Sequence, residues 1–249
     1  MRQSPSSAGI SFGPGPITPA VKIIILTNVA MFVVTRIAPD LVVDLLGMTP
    51  ADVLGRAQIW QVVTYLFIHS PSSFGHILFN MLAVWMFGVE LERRWGTPFF
   101  AKFYAVCGVG AAVCTIAVSL LPFDAAQSLY FTATIGASGA VYGLLMAWAL
   151  LFPHREILFM FIFPLKARMF VLLVGAIAFL SALDGAGGPI ASVAHLGGLL
   201  AGWFYLQGPG GFITEIRRQI ARRKMDRMRK KFNIHKGGRD YWKGDGRVH

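Results

Sequence analysis

The chain has 249 residues, of which 55% are hydrophobic and only 14% charged, and its mean hydropathy is +0.59. Soluble domains are about a quarter charged, so the composition excludes an ordinary soluble enzyme or binding module and marks an integral membrane protein. The formal net charge of +11 raises nucleic acid as a partner, but the position of that charge along the chain favours a membrane surface instead.

Residues 1–19 hold many Gly, Pro and Ser and almost no large apolar side chains. They lack the apolar run of a cleavable signal peptide and read as a flexible cytoplasmic lead. Six apolar segments follow, at 21–37, 74–89, 99–121, 135–152, 169–183 and 190–206. Several fall short of the ~20 residues that a spanning helix prefers, which a bundle interior or a thinned bilayer tolerates. The pattern predicts an all-α membrane protein, with one six-transmembrane-helix bundle over residues 20–207 and a separate tail over 208–249. Residues 157–165 are apolar as well, but nine residues between Glu156 and Lys166 cannot span and are expected to form an interfacial loop. Cys107 and Cys114 share one apolar run, about 10 Å apart along a helix, too far for a disulfide.

With both termini cytoplasmic, 21 of the 23 Lys and Arg residues lie on the inner side, 13 of them beyond Phe212, and only Arg36 and Arg56 lie outside. That bias follows the positive-inside rule, and an odd number of spans would carry one terminus across the membrane. The first outer segment, 39–73, mixes Asp40, Asp44 and Asp52 with Trp60, Tyr65 and Phe67, which predicts a structured, partly embedded loop. Residues 212–231 set Ile213, Ile216, Ile220 and Met228 among nine Lys and Arg, the pattern of a basic amphipathic helix. A lipid bilayer with an anionic inner leaflet is its expected partner, and nucleic acid is not expected, because the tail is tethered beside that leaflet.

On this topology the second, fourth and sixth segments run from outside to inside, and each carries an unusual polar residue near its start: His76, Ser138 and His195. At about 1.5 Å per residue, all three lie within roughly 8 Å of the outer ends of their helices. Ionisable groups are costly in lipid, so their shared depth argues for a polar cavity opening outward. A serine hydroxyl is a poor nucleophile until a base takes its proton, and histidine is the usual base. Ser138 and His195 supply that pair, with no Asp or Glu in the outer half of any span to orient the imidazole, hence a dyad. His76 and Asn80, four residues apart on one helical face, can donate to an anion formed on a substrate carbonyl, with the Ser138 backbone N–H as a third donor. Tyr142, four residues after Ser138, can pack against the imidazole.

Each residue also has a plainer reading. His195 and Asn80 can serve as interhelical hydrogen-bonding groups, Tyr142 as core, and Ser138 with Gly139 and Gly143 as a packed helix contact. Gly198 and Gly202 read as a close-packing face on the helix of His195, one that brings it toward Ser138. His69, in the outer loop, reads as solvated or structural. No cofactor or metal is expected: H-E-x-x-H is absent and no acidic or thiol ligand lies near the histidines. A six-span transporter would also ring a cavity with polar residues, but the chain has neither inverted repeats nor spans broken at midplane.

Three motifs in order, His76-Ile-Leu-Phe-Asn80, Gly136-Ala-Ser138-Gly139 with Tyr142, and Ala194-His195-Leu-Gly-Gly198 continuing to Gly202, resemble the rhomboid intramembrane serine proteases over residues 20–207. The resemblance implies a six-helix bundle with an outward-opening, water-filled cavity and cleavage of transmembrane protein substrates by the Ser138–His195 dyad. It implies a structural role for Glu92, at the inner end of the second helix. A non-catalytic rhomboid-like binder of membrane helices is the alternative within the same fold. The family's outer loop usually carries a Trp-Arg pair, which here is Trp60-Gln61, a departure that bears on the usual anchoring of that loop and touches no catalytic position. The expected location is integral and multi-pass, in a bacterial cytoplasmic membrane.

Overall fold

The computed structural model describes residues 14–122, 124–159, 163–184 and 189–208, together with positions 224, 225 and 228. The chain divides into two compact units, Met1–Tyr205 and Leu206–His249. The basic amphipathic helix expected in the second unit lies outside the described residues, apart from Lys224, Met225 and Met228, which are exposed.

The first unit is mainly helical. Helix α1 (Pro19–Ile37) begins with proline, whose fixed φ and missing N–H suit a first helical position. Three short helices, α2 (Pro39–Leu46), α3 (Pro50–Gly55) and α4 (Gln61–Thr64), and a 3₁₀ turn (Tyr65–Phe67) follow, so the predicted loop at 39–73 is structured. Then come α5 (Phe74–Ala83), a π-helical turn (Val84–Gly88) and α6 (Val89–Trp95), which together form one rod. Gly96, at φ +82, turns the chain into α7 (Thr97–Ser119), a conformation that glycine adopts without a Cβ clash. Helix α8 (Asp124–Phe131) leads to α9 (Ser138–Leu151), and α10 (Ala167–Asp184) and α11 (Pro189–Gln207) follow.

Three of these, Pro19–Ile37, Phe74–Trp95 and Thr97–Ser119, are long and apolar enough to cross a membrane, and two shorter apolar helices lie at Ser138–Leu151 and Ala167–Ser181. The protein is a multi-pass membrane protein. Helix α9 is short because it lies inside: Gly139, Ala140, Val141, Gly143, Leu144, Ala147 and Trp148 cover all its sides and are buried. Its largest neighbour is α7, which turns Phe100, Phe103, Cys107, Ala111 and Thr115 inward along one stripe. Cys107 and Cys114 are both free thiols.

Two expectations are corrected. Residues 157–165 are not a plain loop: strands β1 (Glu156–Phe159) and β2 (Phe163–Lys166) pair antiparallel, with Glu156 opposite Lys166 and Phe159 opposite Phe163. Pairing satisfies backbone groups that an apolar interfacial segment would otherwise leave unbonded. The fourth helix starts at Ser138 and not at 135, because Gly136 takes φ +118 and breaks the helical path.

The two ends of the α5–α6 rod are anchored differently. Near its far end the Glu92 carboxylate accepts from Thr18 Oγ1 at 2.5 Å, Ala20 N at 2.9 Å, Val21 N at 3.0 Å and Thr97 Oγ1 at 2.6 Å, capping α1 and tying it to α7. Glu90 accepts from Trp148 Nε1 at 2.8 Å and pairs with Arg155. The extra residue of the π turn rotates this end by about 100° relative to α5, so the acidic side chains reach α1 and α9 while His76 and Asn80 face elsewhere.

The 39–73 segment is anchored in part through Gln61. Gln61 is fully buried; its Oε1 accepts from Thr49 N at 3.1 Å, and its Nε2 donates to Asp44 O at 3.1 Å and Gln58 Oε1 at 2.7 Å. An uncharged amide suits this position because the groups it bridges include both a donor and acceptors. Trp60 Nε1 and Thr64 Oγ1 add bonds to Leu45 O and Leu46 O at 2.9 and 2.7 Å.

Candidate active site

Ser73 caps α5, its Oγ accepting from His76 N at 3.3 Å, which sets His76 in the first helical turn. The His76 Nδ1 accepts from Ser70 N at 3.3 Å, so the neutral ring carries its proton on Nε2. That nitrogen lies over Gly136, where a Cβ would stand only 2.8 Å from it; at φ +118, glycine is required on both grounds. Gly136 N donates to Tyr65 O at 3.0 Å, and Tyr65, fully buried, donates through its hydroxyl to Gly108 O at 2.7 Å. The segment preceding α9 is thus held between the 3₁₀ turn and the His76 ring.

Ser138 is the first residue of α9, where backbone N–H groups have no partner within the helix. Its Oγ lies 2.8 Å from His195 Nε2. The ring of Tyr142, one turn along α9, stacks on the His195 imidazole at 4.2 Å between centroids and 5° between planes. These distances depend on an unusually close approach of α9 and α11: a Cβ at Gly198 would fall 1.9 Å from Gly139 O, and one at Gly202 would fall 3.1 Å from the Gly143 backbone. Gly139 is confined as well, since a Cβ there would stand 2.6 Å from Ala111 Cβ of α7.

A cavity of about 750 Å³ opens on this group, lined by Ser138, His195, Tyr142, His76, Asn80 and Gly136 among others. Asn80, buried, spends one amide hydrogen on His76 O at 2.8 Å and keeps the other. Every sequence-derived site residue except Gly198 and Gly202 lines this cavity, and those two form the helix contact beside it. Among the described residues, no group of three or more His, Cys, Asp or Glu is arranged to hold a metal ion.

Sequence reading placed Tyr65 only among the aromatics of the 39–73 segment and did not single out Ser70; the Tyr65 O and Ser70 N that hold Gly136 and His76 are backbone atoms, which leave no side-chain signature. His69 is structural rather than solvated: it is fully buried, with its ring edge-on to His76 at 5.0 Å. Burial, and after it the neighbouring His76, push its imidazole down to about 4, so it is neutral at physiological pH.

A serine oxygen within hydrogen-bonding distance of an imidazole nitrogen can be deprotonated as it attacks a carbonyl. Donors at His76 Nε2 and the Ser138 N–H can then meet the resulting oxyanion. The chain is similar to curated rhomboid proteins, two of them named as proteases. Over 141 residues it is 33% identical to Rhomboid protein 1, mitochondrial, of Saccharomyces cerevisiae, covering 55% of this chain and 38% of that protein. It is 27% identical over 161 residues to Rhomboid protease GluP of Bacillus subtilis, covering 64% and 27%, and 27% identical over 161 residues to Rhomboid protease AarA of Providencia stuartii, covering 57% and 53%. The chain therefore spans only about a quarter to a half of the length of these relatives. Residues 56–208 match the Rhomboid domain, a stretch that contains all of the cavity's sequence-derived residues and the Gly198 and Gly202 contact; the chain belongs to the rhomboid family.

Proposed function

We propose that this protein is an intramembrane serine endopeptidase that cleaves transmembrane protein substrates near the outer membrane face. The observation that carries the reading is the 2.8 Å approach of His195 Nε2 to Ser138 Oγ within a cavity that also presents His76 and Asn80. His195 Nε2 takes the Ser138 proton as Oγ bonds to the scissile carbonyl carbon. The carbonyl oxygen becomes an anion facing His76 Nε2–H, the free amide hydrogen of Asn80 and the Ser138 N–H. Collapse breaks the C–N bond, His195 returns the proton to the leaving amine, and the acyl group stays on Ser138. Water then attacks this ester with His195 again as base, and Oγ leaves reprotonated. Tyr142 holds the imidazole by stacking, and Gly136, Gly139, Gly198 and Gly202 bring the two helices and the loop close enough for these contacts.

The bundle is proposed to have six spans, with both termini cytoplasmic and the cavity opening outward. This follows from the charge bias along the chain and from the positions of Ser138 and His76 in the first turns of their helices. A peptide bond in an intact helix is shielded, so suitable substrates carry Gly or Pro in the outer part of their span, where these residues disfavour helix by about 1 and 3 kcal/mol.

The test is labelling by a fluorophosphonate together with cleavage of a model single-span substrate, on the wild type, Ser138→Ala and His195→Ala in detergent. Wild type should react at Ser138 and cleave, and both variants should lose nearly all activity while unfolding at the wild-type temperature. Cleavage by either variant at the wild-type rate sinks the dyad, and a wild type inert to both assays is the behaviour of a non-catalytic binder.

A further inference from the structure

A second groove, of about 650 Å³, lies between α7 and α11 and shares no lining residue with the candidate active site. Lys102, Val109, Gly110 and Val113 of α7 face Ala201 and Phe204 of α11 across it. Small residues set its floor: a Cβ at Gly110 would stand 2.4 Å from Ala201 Cβ, so the two helices meet there. Its rim is apolar and open, with Val113 and Phe204 exposed by 56% and 59%. The Phe103 and Tyr205 rings, 5.8 Å apart, join the same two helices near its Lys102 end.

Position along the membrane normal gives this groove its meaning. Gly139, next to Ser138, abuts Ala111 of α7, so Lys102 lies nine residues, about 14 Å, along α7 from the level of the site. From Lys102 to Gly110, where the two helices meet, is eight residues, or about 12 Å, within the depth of one leaflet of a ~30 Å hydrocarbon core, while Val113 lies beyond Ala111 at the level of the site. Lys102 is the one cation of the lining, is exposed, and among the described residues forms no ion pair. An ammonium at the end of an apolar groove remote from the site, on a stem long enough to reach toward the headgroups, matches a phosphate ester at the end of an acyl chain.

We infer that this groove is a binding site for an anionic phospholipid of the leaflet remote from the candidate active site, with one acyl chain lying along α7 between Gly110 and Lys102 and the phosphate on the Lys102 ammonium. The lipid would span the contact between α7 and α11, and α11 carries His195.

The test uses the full chain in vesicles containing a trace of anionic phospholipid with a diazirine midway along one acyl chain, or its zwitterionic counterpart. Cross-links are mapped by mass spectrometry. The anionic probe should label residues 102–113 and 201–205 above every other exposed helical face, and Lys102→Gln should reduce that labelling at least fivefold while leaving other faces unchanged. Three results would overturn the inference: uniform labelling of all apolar faces, as for ordinary boundary lipid; equal groove labelling by both probes or by Lys102→Gln; or an anionic preference confined to peptides after residue 208, which would assign it to the basic tail.

Discussion

Replacement of Gly198 by alanine tests whether the close approach of α9 and α11 sets the Ser138–His195 distance. The added methyl would sit 1.9 Å from Gly139 O and 2.7 Å from its carbonyl carbon, both backbone atoms within α9 that cannot rotate aside. An acceptable C···O contact is about 3.3 Å, so the helices must part by about 1.4 Å at this point. Ser138 adjoins Gly139, and His195 lies one turn from Gly198, so the Oγ···Nε2 distance should open from 2.8 Å to about 4 Å, beyond hydrogen bonding. A misplacement of about 1 Å costs on the order of 10²-fold in rate. The assay is the second-order rate of fluorophosphonate labelling and of model-substrate cleavage in detergent, well below the unfolding temperature of the variant. Gly198→Ala should lose about 10²-fold in both. Gly202→Ala, whose methyl would stand 3.1 Å from the Gly143 backbone, should lose less, and Gly55→Ala, with nothing within 4 Å, should lose nothing. Labelling of Gly198→Ala at the wild-type rate would refute the argument that this glycine contact sets the distance.

Glu92→Ala removes an acceptor used by Thr18, Ala20, Val21 and Thr97 and should destabilise the fold by about 3 kcal/mol or more, seen as a lower unfolding temperature in detergent. Its labelling rate at low temperature should stay near wild type, since Glu92 lies far from Ser138 on the α5–α6 rod; an unchanged unfolding temperature would mean that water replaces the carboxylate. His69 predicts a pH dependence. Its imidazole titrates at about 4 when folded and near 6.5 when unfolded, so below about pH 6.5 the unfolded state takes up a proton that the folded state does not, and stability falls. By pH 5 this group should have cost about 2 kcal/mol, and His69→Gln should flatten the decline in unfolding temperature between pH 7 and 5 by a corresponding amount; parallel declines would remove His69 from the account.

Much of the helical framework was legible because its signals are local. Apolar runs mark α1, α7, α10 and α11 to within two residues at most of their ends. His76, Asn80, Ser138, Tyr142 and His195 stand out because polar groups in lipid are costly wherever they occur, and helical spacing alone says which of them share a face. The 157–165 segment was less legible, since a short apolar run does not tell a loop from a hairpin until its partner strand is known.

What the sequence by itself determined is therefore a membrane protein of apolar helices, with a serine and two histidines near helix starts. The tertiary structure alone decided how they meet. Gly136 at φ +118, held by Tyr65 O, makes Ser138 the first residue of α9 instead of the fourth, which frees its N–H. Ser70 N, six residues before His76, selects the ring tautomer, and Gln61 bridges Thr49, Gln58 and Asp44 by bonds that no local pattern announces. The 2.8 Å between Ser138 and His195 spans 57 positions of sequence and exists because glycines on two helices let their backbones touch. Composition and periodicity are summed residue by residue, whereas a distance between helices is set by the one pair of side chains, or absent side chains, at their crossing.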